Sequence, residues 1–224
     1  MTLLALVLPF ALLQAEVAAP QTDQRYAQCL ALVDQDPGRA YEEGMAWAAE
    51  AQALSAYRCA ALALLAQERF DEGARRLESL ATALNVTDPS LRAELFSQAG
   101  NAWLLAREPA RARSCFSRAI ATMAPGAEQL PELYIDRARA YALEADYRQA
   151  EEDLSRALDV RPSDPLALRL RASARMHQRA FQLAEIDALQ SLNLATTEEE
   201  RVGAALVLGH VRESIRTGVP VEEQ

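Results

Sequence analysis

Apolar residues recur three or four positions apart along most of the chain, which is the spacing of one face of an α-helix. Residues 147–157 show this pattern clearly, because Tyr147, Ala150, Leu154 and Ala157 share one face and mostly charged residues lie between them. No run of alternating Val, Ile and Thr marks a β-strand. Ala, Leu, Glu, Gln and Arg, all strong helix formers, make up much of the sequence. The pattern therefore predicts an all-α protein.

The helical pattern itself repeats at intervals of about 34 residues or slightly more, and a repeat of this length indicates stacked helix pairs. The second helix of each pair carries one set of recurring positions: Phe70, Gly73, Leu77 and Leu80; Pro109, Ala112, Phe116 and Ala119; Tyr147, Ala150, Leu154 and Ala157; Phe181, Ala184, Ala188 and Ser191. The first helix carries a large residue followed four positions later by a small one: Tyr57 and Ala61, Phe96 and Gly100, Tyr134 and Ala138, Leu168 and Ala172. Small residues at the crossing points let two antiparallel helices approach closely, and large residues fill the space beside each crossing. One such pair cannot bury its own apolar face, so it must stack on a neighbour.

These columns resemble those of the tetratricopeptide-repeat (TPR) family, over roughly Arg25 to Leu194 and most fully in residues 131–164. The resemblance implies an α-solenoid, a TPR superhelix of antiparallel helix pairs whose first helices line a concave groove for peptides or partner helices. Three positions depart from the family pattern. Arg58 and Leu62 stand where some members clamp a C-terminal carboxylate with a Lys and an Asn, so that ligand class is not implied. Arg175 replaces an aromatic residue, and it either interrupts the packing of its pair or makes a polar contact with a neighbour.

The repeat divides the sequence into segments. We expect a signal peptide at residues 1–19 and a degenerate TPR-like helix pair at residues 22–52. Four TPR units are expected to follow, at residues 53–86, 89–124, 131–164 and 165–195. A capping helix at residues 196–216 and a flexible tail at residues 217–224 are expected last. Thr197 and Glu200 form a capping-box pattern that opens the capping helix, and we expect Val202, Leu206 and Ile215 to form its apolar stripe.

Residues 1–19 differ from the rest of the sequence. An apolar run from Leu3 to Leu13 is followed by small residues at Ala15, Ala18 and Ala19, as in a secretory signal peptide, and it is shorter than a membrane span. No Lys or Arg precedes the run, so an uncleaved anchor or an apolar N-terminal helix of a cytoplasmic protein remain alternatives. We expect a TPR protein of an exported bacterial type, periplasmic or secreted.

The charge and the residue types restrict the function. A formal charge of −9 disfavours attraction to phosphate, so we expect no nucleic-acid partner, and beyond the export signal we expect no membrane partner. The two histidines, His177 and His210, have no metal-ligand spacing, and neither a phosphate-binding loop nor a nucleophile elbow is present. The acidic run Glu151-Glu152-Asp153 is interpreted as a solvated helix face. We therefore predict no catalytic residue, no metal and no cofactor, which means no enzyme.

Export would permit a disulfide bond. Cys29 and Cys59 lie in the first helices of successive pairs, which are parallel neighbours in a solenoid, and the alignment places them about one turn apart. They are therefore a candidate disulfide, the alternative being two buried thiols, and Cys115 is expected to be a free, packed thiol.

The residues expected to face the groove and contact a partner are Arg58, Ser97, Asn101, Arg139, Arg169 and His177. Asn and Arg side chains can bind a peptide backbone or a carboxylate, and Arg can do so bidentately. The leading hypothesis is an adaptor that binds a protein or peptide partner in the groove. The alternative is a structural component of a cell-envelope assembly that acts through its convex face or end helices.

Overall fold

A computed structural model describes residues 21–84 and 88–221, and within these ranges the protein forms eleven helices and no strand. The helices are α1 (Gln21–Gln35), α2 (Pro37–Ala51), α3 (Leu54–Ala66), α4 (Phe70–Ala83), α5 (Pro89–Leu105), α6 (Pro109–Thr122), α7 (Leu130–Leu143), α8 (Tyr147–Val160), α9 (Pro165–His177), α10 (Phe181–Leu194) and α11 (Glu198–Thr217). Each helix packs against the next one in the sequence. The first helix of a pair also contacts the first helix of the preceding pair. The predicted all-α solenoid of helix pairs is confirmed.

The predicted signal peptide, residues 1–19, lies outside the described residues, as do the last three residues of the predicted tail. In the part of the protein that the structure describes, every helix is too short or too polar to cross a bilayer.

Asp and Pro residues fix where many of the helices begin. The side chains of Asp36, Asp88, Asp146 and Asp164 each accept a hydrogen bond from the backbone N–H three residues later, which satisfies one free donor of the first turn. Proline follows three of these caps directly, because its fixed φ suits the first helical position. The capping box of Thr197 and Glu200 is present at the start of α11. Local sequence thus sets where these helices begin.

Four of the five helix pairs share one turn. Glu68, Arg107, Ala145 and Arg179 adopt left-handed backbone conformations with φ between 58° and 64°. The next residue in each turn donates its N–H to a carbonyl five residues earlier, as from Arg69 to Leu64 and correspondingly in the other three pairs. This bond satisfies a carbonyl that the helix end leaves free. The pair α1–α2 lacks this turn, since only Asp36 separates its two helices.

The disulfide between Cys29 and Cys59 joins α1 to α3, with a Cα–Cα distance of 6.2 Å. Cys29 is the buried side chain of α1, and Trp47 of α2 and Ala56 of α3 lie in the small apolar cluster beside it. The bond therefore ties the least buried helix of the N-terminal pair to the array. Cys115 is a free thiol, fully buried in α6, and its burial raises its pKa to about 12.

The C-terminal pairs contain buried ion pairs. Arg137 donates to both carboxylate oxygens of Asp153 at 2.7 and 2.8 Å, and Arg171 donates to both of Asp187 at 2.8 and 2.9 Å. Both aspartates are 2% exposed. The interpretation of Asp153 as part of a solvated face is therefore wrong: this residue lies on the side of α8 that faces α7. Only its neighbour Glu152 is exposed.

Arg175 makes the polar contact that was one of its two expected outcomes. Its guanidinium lies 2.8 Å from Glu151 of α8 and 2.8 Å from Asp187 of α10, so it links two successive helix pairs.

The apolar stripe predicted for α11 is on the wrong face. Val202, Leu206 and Ile215 are exposed, and the residues buried against α9 and α10 are instead Ala204, Val207, Leu208, Val211 and Ser214. Both faces of α11 carry apolar residues, so the helical spacing alone could not show which one meets the array.

Candidate groove for a partner

A cavity of about 510 Å³ opens along the first helices α5, α7 and α9, with α8 as its floor. Its walls are mostly apolar: Leu104 and Leu105 from α5, Ala142 and Leu143 from α7, Leu154 from α8 and Leu170 from α9. Leu105 and Leu143 are 59% and 63% exposed, although both are large aliphatic side chains. Exposed apolar side chains that line a concavity, rather than being scattered singly, are typical of a binding surface.

Three polar side chains stand at the edge of this apolar surface. Arg139 of α7 and Ser173 and His177 of α9 line the cavity, whereas no Asp or Glu does. The His177 ring stacks on the ring of Tyr147, with centroids 4.2 Å apart and an angle of 8° between the planes. This stacking fixes the orientation of the imidazole at the cavity wall.

Asp136 accepts hydrogen bonds just beside the cavity. Asn101 Nδ2 donates to Asp136 Oδ2 at 3.2 Å, and Arg139 Nη1 lies 3.5 Å from Asp136 Oδ1. Burial raises the pKa of Asp136, and the hydrogen bond from Asn101 and the charge of Arg139 oppose that shift only in part. The Arg139 side chain remains 51% exposed, so its guanidinium can take a second acceptor from a ligand.

The six residues predicted to contact a partner divide into three groups. Arg139 and His177 lie in the cavity, and Asn101 lies beside it through Asp136. Ser97 lines a separate cavity of about 640 Å³ at the other end of α5 and α7. The remaining two, Arg58 and Arg169, lie against neighbouring helices.

Arg58 forms an ion pair with Glu94 and lies over the ring of Tyr26, 5.7 Å from its centroid. It therefore connects α3 to α5 and α1. Burial raises the pKa of Tyr26, while the charge of Arg58 lowers it. Arg169 lies against Gly203 of α11, where an added Cβ would come within 2.8 Å of its Nη1 atom. Their role in partner binding stays a prediction, but neither residue lies in the cavity of Arg139.

Sequence reasoning did not identify Tyr147 and Leu170 as lining residues. Tyr147 opens a second helix and was assigned to the interior of its pair, whereas its ring reaches the neighbouring α9. Leu170 follows the groove column by one position, and only the rotation of α9 in the stack brings it to the cavity.

Among the described residues, no group of three or more His, Cys, Asp or Glu side chains is placed to hold a metal ion.

No family model matches the sequence, and no curated protein is significantly similar to it. Solved structures do match in fold. YrrB, a TPR protein with an unusual peptide-binding site, aligns with a TM-score of 0.63 at 13% identity over 84% of this protein and 100% of YrrB. A double mutant of MamA aligns with a TM-score of 0.64 at 12% identity, covering 79% of this protein and 96% of that one. The second TPR domain of human RPAP3, in complex with an HSP70 peptide, aligns with a TM-score of 0.50 at 25% identity over 56% of this protein and 98% of that domain. The protein therefore has the fold of a TPR solenoid.

Proposed function

We propose that this protein is a non-enzymatic adaptor that holds an extended segment of a partner protein in the groove of α5, α7 and α9. The observation that carries this proposal is the cavity of about 510 Å³, whose walls are apolar and whose lining includes Arg139 and His177 but no carboxylate.

The apolar walls favour a segment with a large apolar side chain. Leu105 and Leu143 expose most of their surface to water. Covering an exposed aliphatic side chain of this size contributes about 1.5–3 kcal/mol. Two such residues at the ends of neighbouring helices therefore provide an anchor point for one apolar side chain of the ligand.

The polar edge favours an acidic group next to that side chain. Arg139 already contacts Asp136, but at 3.5 Å and with half of its own surface exposed, so the ion pair does not saturate it. A carboxylate from the ligand would meet the guanidinium at an edge with no competing acid in the cavity lining. We therefore propose a segment that combines an apolar residue with an acidic residue or with the terminal carboxylate of the partner.

The structural neighbours support peptide binding in general terms. A peptide is bound by the human RPAP3 domain and YrrB is described by its peptide-binding site, and both share the helical architecture of this protein. Their sequence identities to it are low, so the ligand chemistry proposed here is argued from Arg139 and the leucines alone.

The test is a binding measurement with two matched variants. Leu143→Glu and Ile186→Glu each place a carboxylate on a similarly exposed helical position, 63% and 59% respectively, one in the groove and one on α10 outside it. Partners captured from an extract by the purified wild-type protein are identified by mass spectrometry, and their affinities for the variants are measured by calorimetry. We expect Leu143→Glu to weaken binding at least about tenfold, and Ile186→Glu to leave it unchanged. Equal binding by wild type and Leu143→Glu would reject the groove.

Arg139→Gln sharpens the same test. It removes the charge but keeps a side chain that can donate a hydrogen bond. We expect it to weaken acidic ligands about tenfold and to have little effect on the same peptide with its acid amidated. A variant that weakens both forms equally would argue against the acidic specificity and leave the apolar anchor.

One observation favours the alternative, a structural component that acts through the outer surface. Leu183 and Ile186 of α10 are exposed, whereas the corresponding positions of α8 carry Gln149 and Glu152. This apolar surface is specific to the last complete pair. Loss of the captured partners with Ile186→Glu, and their retention with Leu143→Glu, would support the alternative.

We also propose that the protein acts in an oxidising compartment after export. The Cys29–Cys59 bond supports this, because such bonds persist outside the reducing cytoplasm. Sequencing of the mature N-terminus, together with thiol alkylation before lysis, tests it. An intact Met1 and two alkylated cysteines at these positions would contradict export.

A further inference from the structure

The outer face of α11 is an apolar surface that no helix among the described residues covers. Val202 and Leu206 are each 58% exposed, Ala205 is exposed, and an added Cβ on Gly209 would meet no atom within 4 Å. Each of these residues lies three or four positions from two of the others, so they form one stripe along the helix. The opposite face of α11 is the one buried against α9 and α10.

The repeat register shows what normally covers this stripe. Val202, Leu206 and Gly209 lie one repeat length after Leu168, Ala172 and Arg175 of α9. On α9, these positions face α10: Ala172 shares an apolar cluster with Ala184 and Ala188 of α10, and Arg175 Nη1 lies 2.8 Å from Asp187. The stripe is therefore the face that the second helix covers in a complete pair. Gly218 ends α11 with a φ of 75°, and no further helix follows in the described part of the protein, which ends at residue 221.

The charges of α11 indicate which kind of helix could cover the apolar stripe. Glu198 lies in its first turn and Arg216 in its last, and both are exposed. Each pairs only with a side chain of α11 itself, three residues away and also exposed. Both fall on the same side of the helix as the apolar stripe, because they are seven residues before Ala205 and after Gly209 respectively. A helix placed antiparallel to α11 would be complementary to it if its own first turn were acidic and its last turn basic.

We propose that a second copy of this protein supplies that helix, so that the two α11 helices pair antiparallel about a two-fold axis. If the axis passes at the level of Val207, Ala205 lies opposite Gly209 of the second copy, and Glu198 lies opposite Arg216. The two small residues at the crossing allow close approach, and the Leu206 side chains of the two copies lie next to the axis. Val202 lies opposite Arg212 of the second copy. Each α11 then occupies the second-helix position next to the other α11, a position that no described helix fills. The arrangement is self-complementary, so it closes as a dimer and does not propagate into a filament.

The size of this surface sets the affinity to expect. A helix of 20 residues is about 30 Å long, so one helix pair buries less than the roughly 1,200–2,000 Å² of a standard interface. Exposed ion pairs at its ends contribute about 0–1 kcal/mol each. We therefore expect dissociation constants of roughly 1–100 µM.

Sedimentation equilibrium of the protein at about 1 µM to 1 mM tests the proposal. We expect a monomer–dimer equilibrium for the wild type. Leu206→Glu should remain a monomer throughout, because it places two like charges across the axis. Val160→Glu, which adds the same charge at a comparably exposed position at the end of α8, should dimerise like the wild type. A wild-type protein that stays monomeric, or a Val160→Glu variant as impaired as Leu206→Glu, would overturn the proposal.

A charge exchange tests the antiparallel register. Glu198→Arg alone and Arg216→Glu alone each bring like charges together and should weaken the dimer several-fold. The double variant restores opposite charges across the interface, and its dissociation constant should return close to that of the wild type. Additive weakening in the double variant would overturn the pairing. Circular-dichroism melting of each variant checks that the fold is intact.

Discussion

The pairs α3–α6 and α7–α10 share one fold but differ at two equivalent positions. In the first helices, these positions hold Ala60 and Ala99 in the N-terminal region and Arg137 and Arg171 in the C-terminal region. In the second helices, they hold Arg76, Cys115, Asp153 and Asp187. The pair α5–α6 buries Phe96, Trp103 and Phe116 completely, whereas each C-terminal pair contains a bidentate ion pair.

This difference distinguishes two roles of the packing, which are to stabilise a helix pair and to fix its position on the next pair. Aromatic and aliphatic contacts are strong but non-directional, so they stabilise a pair without fixing how it sits on the next one. Each buried arginine of the C-terminal pairs also contacts the preceding pair: Arg137 donates to Ser117 at 3.1 Å, and Arg171 donates to Ser155 at 3.3 Å. In the N-terminal region, the partly buried Arg76 makes a comparable contact with Tyr41 at 2.8 Å. Most residues that line the cavity between α5, α7 and α9 belong to the C-terminal pairs. We therefore predict that directional contacts there set the relative position of the helices that line it.

The largest expected effect follows from breaking the ion-pair cluster of α9 and α10. Asp187→Ala leaves Arg171 and Arg175, both mostly buried, without the carboxylate that they share. Loss of one partner of a buried pair costs about 3–5 kcal/mol. We expect that decrease in the free energy of unfolding measured by urea denaturation.

The matched control for this change is Asp71→Ala in α4. Asp71 is an exposed carboxylate that pairs with Arg75 one turn away. Such a surface pair contributes about 0–1 kcal/mol, so this variant should unfold close to the wild type. Similar losses in the two variants would show that burial of Asp187 is not the cause.

The second effect concerns the N-terminal end, where the constraint is covalent. The Cys29–Cys59 bond closes a loop with a sequence separation of 30 residues, and a loop of this length stabilises by roughly 3–4 kcal/mol through the entropy of the unfolded state. Reduction should therefore remove amide protection from α1 and α2, because repeat arrays lose stability locally.

Hydrogen exchange with mass spectrometry, with and without reductant, measures this effect. The helices α7–α10 should keep their protection, since they contain no cysteine that a reductant could affect. A Cys29→Ser/Cys59→Ser variant should reproduce the result of reduction, and Cys115→Ala should not. Uniform loss of protection along the whole array would contradict the division into two regions.

The repeat columns were sufficient to predict the solenoid, because small residues at helix crossings and large ones beside them leave a regular trace. The burial of Arg137 and Arg171 was not predicted from the sequence. They recur one repeat length apart together with Asp153 and Asp187, but charged residues on a helix usually lie at the surface. A recurring Arg and Asp on the buried side of two helices is the signal that could have identified them.

The site was less predictable than the fold. Arg139 and His177 were expected in the groove and line the cavity, whereas Arg58 is engaged by Glu94, a charge 36 residues away. Which arginine remains available depends on side chains of neighbouring pairs, and the periodicity of one helix carries no information about them. The exposed stripe of α11 was misassigned for the same reason.

The third effect tests the tight crossing of the aromatic region. A Cβ on Gly100 would lie 2.6 Å from a ring carbon of Phe116, so Gly100→Ala forces the ring to move. Overpacking of this kind costs about 1–3 kcal/mol. Gly38→Ala in α2 is the control, because its Cβ would meet only Asp36 Oδ1 at 3.5 Å, and helix propensity should stabilise this variant by at most about 1 kcal/mol. Thermal denaturation should show opposite signs for the two variants, and a neutral Gly100→Ala would mean that the aromatic packing is looser than its contacts indicate.

The smallest effect is expected where the ion pair of α7 and α8 is replaced as a whole. Arg137→Leu alone leaves Asp153 with only Arg156, at 3.1 Å, and should cost about 2 kcal/mol. Arg137→Leu with Asp153→Leu removes the buried charges together, and such replacements are often neutral, so we expect stability within about 1 kcal/mol of the wild type. If directional contacts determine the relative position of the helices around the groove, this stable double variant should still bind the groove ligand more weakly than the wild type. This effect is expected although neither residue lines the cavity. Unchanged affinity in a fully stable double variant would show that apolar packing alone positions α5, α7 and α9, and that the two regions differ in composition but not in task.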